Sequence, residues 1–364
     1  MKIAVDCRMS GKSGIGTFLD GILPYLLATD NEFLLLGADS RYFSKKNVSC
    51  IPCPVNAFSL SETFFFPKKI SSEINRCDIY FSPYCNVPSG IKIPVYTTIH
   101  DIVFLDIKGL SGKAGTFARK MFYKRAVKKS RAVFTVSQFS RERIIEKLSC
   151  KKPIFVVYNG IPSYLQNISK VPQEQKDASI IFIGNIKKHK GLGCLLDAHL
   201  LMLKSGEFTG KESPRLLIVG ARDNFRTQDS SIEKKIALID SLYPSSIEFT
   251  GFVENERLKQ LLAKARVLVQ PSLYEGFGIP PLQALLCGTH AVISDIPVFK
   301  EIYKDFPVSY FRTGDSSDLY EKLRKEWLSK EEVGPVPDIY SYKKTAQLES
   351  PSSAFVSLRG FSLT

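Results

Sequence analysis

The run Pro271-Ser272-Leu273-Tyr274-Glu275-Gly276-Phe277-Gly278-Ile279-Pro280-Pro281 lies directly after a short apolar stretch, Val267 to Gln270. Its residue types suit an anion: glycines at 276 and 278 let backbone N–H groups approach closely, and prolines at 280 and 281 fit a first helical turn, where no N–H is required. The helix so opened points its positive end at the loop, which favours phosphate. Glu275 can accept hydrogen bonds from hydroxyl groups at the same place. A bare Gly-x-Gly serves equally well as a ligand-free strand-to-helix turn. A second loop, Asn185-Ile186-Lys187-Lys188-His189-Lys190-Gly191, follows the run Ile180 to Gly184 and is either a basic ligand loop or a solvated lysine turn. Near the amino terminus, Gly14-Ile15-Gly16-Thr17 opens an amphipathic stretch after the first apolar run. The third glycine of a dinucleotide fingerprint is absent, because Phe18 and Leu19 stand where it would fall. His100-Asp101 closes the run Val95 to Ile99. A histidine there has an ordinary pKa near neutrality and can donate or accept a proton, or it can simply be a structural hydrogen-bonding group. Ser137 is a good N-cap for the basic stretch from Arg141 to Lys147.

The elements that must position these residues are legible as an alternation. Short β-branched runs at Lys2 to Asp6, Phe33 to Leu36, Ile79 to Ser82, Val95 to His100, Ala132 to Ser137 and Ile154 to Tyr158 are separated by longer amphipathic stretches. That pattern predicts βαβ units and a parallel sheet covered on both faces. A polar stretch, Gln166 to Ser179, reads as a linker, after which the pattern restarts at Ile180 to Gly184, Leu216 to Gly220, Ile247 to Phe249, Val267 to Gln270, Ala291 to Ser294 and Val308 to Phe311. The expectation is an α/β chain of two Rossmann-like doubly wound domains, 1–170 and 171–335, with a tail from 336 to 364 that could return to the first domain. From Glu331 the hydrophobic pattern weakens, and the final serine-rich residues carry no assignable element. Open parallel sheets bind ligands beyond the carboxyl ends of their strands, so two sheets facing one cleft would suit a transfer reaction.

Composition narrows the field. The chain has 364 residues, 44% hydrophobic and 24% charged, which is the range of globular proteins and excludes a disordered or fibrous one. A net charge of +14 implies an anionic partner: nucleic acid, a phosphorylated ligand or an acidic lipid surface. The eight cysteines follow no disulfide framework, and Cys50-Ile51-Pro52-Cys53 has redox spacing without a strand-to-helix setting or a second pair for zinc. No apolar run reaches the roughly 20 residues of a membrane span, and Met1 leads into a strand pattern with no signal peptide, so a cytoplasmic protein is expected.

Glu275-Gly276-Phe277-Gly278-Ile279-Pro280, followed by a small-residue helix and Gly288, closely resembles the retaining glycosyltransferases of family 4, which have the GT-B fold. The resemblance runs from the N-terminal glycine loop to about Tyr303. It implies that Lys190 contacts the diphosphate of a nucleotide-sugar donor, where an ammonium stabilises the charge that grows as the sugar leaves. It implies further donor contacts at Gly184, Asn185, Tyr274, Gly276, Phe277, Gly278, Ile279 and Gln283. Backbone groups near Val253 would meet the nucleobase, and Gly14 and Gly16 would approach the donor from the opposite wall. Catalytic roles fall to His100, Glu275 and Lys190, and Asp101, Ser137 and Asn159 become cleft lining.

Two departures stand out. Asn185 occupies a position that many members fill with arginine, and Gln283 stands where the family usually places a second glutamate eight residues after the first. An uncharged amide replaces a carboxylate that commonly accepts from the ribose diol, and neutral hydrogen bonds are about half as strong as charge-assisted ones. The resemblance implies a retaining, metal-independent transfer with no cofactor, from a UDP- or GDP-linked donor to a saccharide acceptor, lipid-linked, in surface polysaccharide or O-antigen synthesis. No paired carboxylates suit a glycosidase. The basic stretch Lys113 to Arg131, with Phe117, Met121, Phe122 and Val127 interleaved, and the nearby Phe58 to Lys69 suggest attachment to an anionic membrane surface, or an ordinary helix with a solvated face. A sugar-nucleotide binder without turnover and a nucleic-acid binder are the competing classes; no nucleic-acid reader motif is recognisable.

Overall fold

A computed structural model describes residues 1–38, 42, 45–165, 168–220 and 230–349. The chain forms two compact units, Met1–Pro162 joined by a returning segment that starts at Ile339, and Ser163–Asp338. The first unit carries a seven-stranded sheet built from β1 (Lys2–Asp6), β2 (Glu32–Leu36), β3 (Val48–Ile51), β4 (Ile79–Ser82), β5 (Val95–Thr98), β6 (Ser130–Thr135) and β7 (Ile154–Val156), in the order β3-β2-β1-β4-β5-β6-β7. Every pairing in it is parallel. Strands such as β4 and β5 are buried at every residue, as a parallel sheet covered on both faces requires. The second unit holds β8 (Asp177–Ile183), β9 (Arg215–Val219), β10 (Ile247–Gly251), β11 (Ala265–Gln270), β12 (His290–Ser294) and β13 (Val308–Phe311), ordered β10-β9-β8-β11-β12-β13 and again parallel.

In each sheet the chain runs outward from the first strand, then returns to its other side. The reversal points lie between β1 and β4 and between β8 and β11, and doubly wound sheets bind ligands in the crevice at such points. Three details differ from the sequence reading. β3 was not foreseen. The predicted linker is part of the second unit: Gln173–Gln175 form a 3-10 turn, Lys176 is buried, and β8 begins at Asp177. The division falls after Pro162 instead of at 170.

The helix Tyr342–Glu349 packs on the helix Ser13–Leu26 of the first unit. Two glycines make room: a Cβ on Gly21 would lie 2.4 Å from the Tyr342 ring, and one on Gly160 would lie 2.1 Å from the Tyr342 nitrogen. Thr345 Oγ1 donates to the Tyr158 carbonyl at 2.6 Å and closes the contact. Residues 350–364, and with them the serine-rich end, lie outside the described residues.

Candidate functional site

The adjacency of β8 and β11 brings together two loops that are 85 residues apart in sequence. Lys190 Nζ lies 2.8 and 2.9 Å from the two carboxylate oxygens of Glu275. The pair is mostly sheltered, with side-chain exposures of 22% for Lys190 and 10% for Glu275, so a ligand can still reach the ammonium. Glu275 is fixed from behind: Ser272 Oγ donates to Oε1 at 2.8 Å and Gln270 Nε2 to the same oxygen at 3.3 Å. Ser272 is held in turn by its carbonyl, which accepts from Ser294 Oγ at 2.5 Å. A carboxylate with this many donors stays in one rotamer, which a positioning group requires.

The loops themselves are locked. Leu273 N donates to the His189 carbonyl at 2.8 Å. Gly191 has φ +70°, and a Cβ there would sit 1.8 Å from the Pro271 carbonyl oxygen, so only glycine fits. Lys187 and Lys188 are exposed, His189 is buried, and Lys190 is half-buried. Burial, with Lys190 beside it, lowers the His189 pKa to about 4, so the ring is neutral at physiological pH. Asn185 is exposed, and Val253 is half-buried beside an exposed Phe252.

The helix Ile279–Leu286 begins where the glycine loop ends, with Gly278 as N-cap at φ +84°. A Cβ on Gly278 would lie 2.3 Å from the Phe299 ring. Tyr303 secures the start: its hydroxyl donates to the Gly278 carbonyl and accepts from Leu282 N at 3.1 Å. Proline at 280 and 281 removes two N–H groups and Tyr303 takes a third. Of the first helical turn, Ile279 N–H is the donor left to an anion, a narrower provision than the motif suggested. Tyr274 and Phe277 are buried side chains. Gln283 lies one turn further along, its Nε2 donating to Tyr164 Oη at 2.6 Å.

In the first unit, Gly14 and Gly16 fall in the opening turn of the helix Ser13–Leu26. Gly16 is sterically required, since a Cβ would lie 2.5 Å from the Met9 carbonyl oxygen. Asp20 reaches back to the loop, accepting from Ser10 Oγ at 2.5 Å and from Gly11 N at 2.8 Å. His100 follows β5, with Nε2 2.9 Å from the Pro83 carbonyl, an acceptor only, so Nε2 carries the hydrogen and Nδ1 the lone pair. Its ring meets Phe18 edge to face at 4.9 Å. Burial lowers the His100 pKa to about 4, which corrects the expectation of a group titrating near neutrality. Asp101 Oδ1 accepts from Val103 N at 3.1 Å, and Ser137 caps the helix Gln138–Leu148 by accepting from Ser140 N at 3.1 Å. Asn159 is buried, and its Oδ1 has no hydrogen-bond partner.

The sequence reading missed a charged network at the β1/β4 reversal point. Arg8 Nε and Nη2 donate to the two Asp6 oxygens at 2.9 and 2.6 Å, and Nη2 also reaches Glu62. Tyr80 and Tyr84 hydroxyls donate to Asp6 Oδ2 at 2.7 and 2.6 Å. Asp6 and Arg8 alternate at a strand end, which is the one local sign of it; Glu62 is too distant in sequence to be paired by spacing. Among the described residues, no group of three or more His, Cys, Asp or Glu side chains is placed to share a metal ion.

Comparison with known proteins bears on both units. The family model for glycosyl transferases group 1 matches residues 164–342, and the model for glycosyltransferase family 4 matches residues 14–163. The chain belongs to the group 1, family 4 glycosyltransferases. Among relatives of this family, the O-antigen chain mannosyltransferase RfbU of Salmonella typhimurium is 27% identical over 192 residues, 51% of this chain and 50% of that protein. The O-antigen chain mannosyltransferase B of Escherichia coli is 26% identical over 242 residues, 62% and 59% of the two chains. These matches thus span about half to three-fifths of the curated relatives. Sucrose-phosphate synthase from Thermosynechococcus elongatus shares the fold with a TM-score of 0.67 at 15% identity, covering 99% of this chain and 97% of that one. Anabaena HepE in complex with UDP and glucose gives 0.63 at 16% identity over 100% of both chains. The fold is accordingly the α/β GT-B fold, with two Rossmann-like units.

Proposed function

We propose that this chain is a retaining glycosyltransferase that moves a sugar from a UDP- or GDP-linked donor to a saccharide acceptor, lipid-linked, in O-antigen or related surface polysaccharide synthesis. The observation that carries this reading is the Lys190–Glu275 pair at the β8/β11 reversal point, beside the start of the helix Ile279–Leu286. The O-antigen setting is supported by the names of the relatives in Salmonella and Escherichia. A donor diphosphate entering the loop draws Lys190 from Glu275 and accepts from Ile279 N–H, while Glu275, still held by Ser272 and Gln270, accepts from a sugar hydroxyl. The acceptor oxygen bonds to the anomeric carbon as the bond to phosphate breaks, on the same face. The departing phosphate oxygen takes the acceptor's proton, so the protein supplies position and charge without a base, a metal ion or a cofactor. With a pKa of about 4, His100 serves as a neutral hydrogen-bonding group. The work is placed in the cytoplasm, at the inner face of a membrane where a lipid-linked acceptor is presented. Among the described residues no helix is long and apolar enough to cross one.

The test is a screen of UDP- and GDP-sugars by thermal shift, followed by nucleoside diphosphate release with lipid-linked saccharide acceptors. A donor that raises the melting temperature and is consumed supports the reading. A sugar-nucleotide binder without turnover is the second reading, favoured by the neutral Gln283 amide bound to Tyr164; it predicts the thermal shift with no release. Absence of any shift would count against both.

A further inference from the structure

The segment around the short helix Leu60–Phe64 sorts its side chains against their polarity. The Glu62 side chain is fully buried, while Leu60, Phe64 and Phe65 are 66%, 63% and 80% exposed. Glu62 is retained inside by Arg8, by Asn86 Nδ2, and by Phe58 N at 2.8 Å. Burial raises its pKa against the pull of Arg8, so the arrangement is costly and does not arise from simple partitioning. Phe58 has φ +63°, a conformation rare for an aromatic residue, and is itself half exposed. Structure is thus spent on holding an apolar cluster in solvent.

A second element adjoins it. Arg125, on the helix Lys113–Lys129, donates to the Thr63 carbonyl at 3.3 Å. Every charged residue of that helix is basic. Its outer stripe sets Phe117 and Met121, both largely exposed, among exposed Lys113, Lys120, Lys124 and Lys128 at helical spacing. Of the interleaved apolar residues, Phe117 and Met121 are exposed, whereas Val127 is buried. Exposed Lys68 and Lys69 follow the aromatic cluster.

We propose that these two elements form one docking face for an anionic lipid bilayer. Leu60, Phe64, Phe65, Phe117 and Met121 enter the headgroup boundary, and the surrounding lysines meet lipid phosphates. The uniform positive charge selects an anionic lipid surface over a neutral one. The inference deepens the membrane setting proposed above and rests on it, while naming the surface and the side chains that insert.

The experiment uses the full chain and phosphatidylcholine vesicles with and without phosphatidylglycerol. Wild type sediments with the anionic vesicles and is released by salt. Phe64→Ser/Phe65→Ser weakens this binding by about ten-fold or more. Lys120→Glu/Lys124→Glu does the same, and both double variants keep the wild-type melting temperature. Phe65→Trp in brominated anionic lipid shows quenching beyond the signal of the buried native Trp327. Wild type that ignores anionic vesicles overturns the membrane setting itself. Binding with an unquenched Phe65→Trp, or equal binding by both double variants, overturns this face alone. Self-association abolished by Phe64→Ser/Phe65→Ser, without vesicle binding, assigns the face to a second copy and overturns the proposal.

Discussion

Replacing Lys190 by methionine keeps an unbranched four-atom stem and removes the terminal ammonium with its charge and donors. In the resting protein, Glu275 then loses two charge-assisted bonds, at 2.8 and 2.9 Å, and keeps those from Ser272 and Gln270. Because the retained donors still satisfy one oxygen, the net loss of stability is about 1 to 3 kcal/mol. At about 2 to 4 °C per kcal/mol for a unit of this size, the melting temperature falls by roughly 2 to 12 °C and the protein remains folded. The effect on turnover is larger. Removing one preorganised electrostatic partner of a developing charge costs about 3 to 4 kcal/mol, or roughly 100- to 1000-fold in kcat. Nucleoside diphosphate release measures the second quantity and a thermal melt the first. A folded Lys190→Met variant with kcat within about three-fold of wild type would refute the role given to this ammonium.

Gly191→Ala places a Cβ where the Pro271 carbonyl already lies, at a backbone angle that disfavours any side chain, and is expected to cost about 2 kcal/mol or more; an unchanged melting temperature would contradict the packing of the two loops. Burial lowers the pKa of His189 and of His199 from 6.5 to about 4, so the unfolded chain takes up protons first as pH falls. Stability present above pH 6.5 is lost towards pH 4, by about 2 kcal/mol for each ring at pH 5. His290, where Glu326 outweighs burial, acts in the opposite direction. Denaturant unfolding at a series of pH values checks this, and a flat profile from pH 7 to 5 would count against neutral buried rings. EDTA is expected to leave turnover unchanged, and strict dependence on an added divalent ion would contradict metal-free transfer.

The strand pattern was legible wherever strands are buried on both faces, because continuous β-branched runs have few other uses in a parallel sheet. β3 escaped because Val-Ser-Cys-Ile is a short edge strand, partly exposed, with no such run. The linker reading failed at Lys176, which looks like a solvated lysine yet is buried, donating to the Ala263 carbonyl at 2.8 Å and to Thr289 Oγ1 at 2.9 Å. Those partners lie 87 and 113 residues away, beyond any local pattern. Each anion loop could be read in isolation from its glycines, prolines and lysines. That Lys190 and Glu275 touch could not, because their meeting depends on β8 and β11 being neighbours. Tyr303, which closes the helix start, has no local signal either. His100 illustrates a different limit: residue type gives a pKa near neutrality, and only the packing against Phe18 and the Pro83 carbonyl shows how far desolvation moves it.

A crystal structure of the protein with bound UDP or GDP would settle where the donor sits. The account predicts diphosphate oxygens within about 3 Å of Lys190 Nζ and of the Ile279 nitrogen, with Lys190 turned away from Glu275. A nucleotide bound elsewhere, with the Lys190–Glu275 contacts unchanged at 2.8 and 2.9 Å, would contradict it.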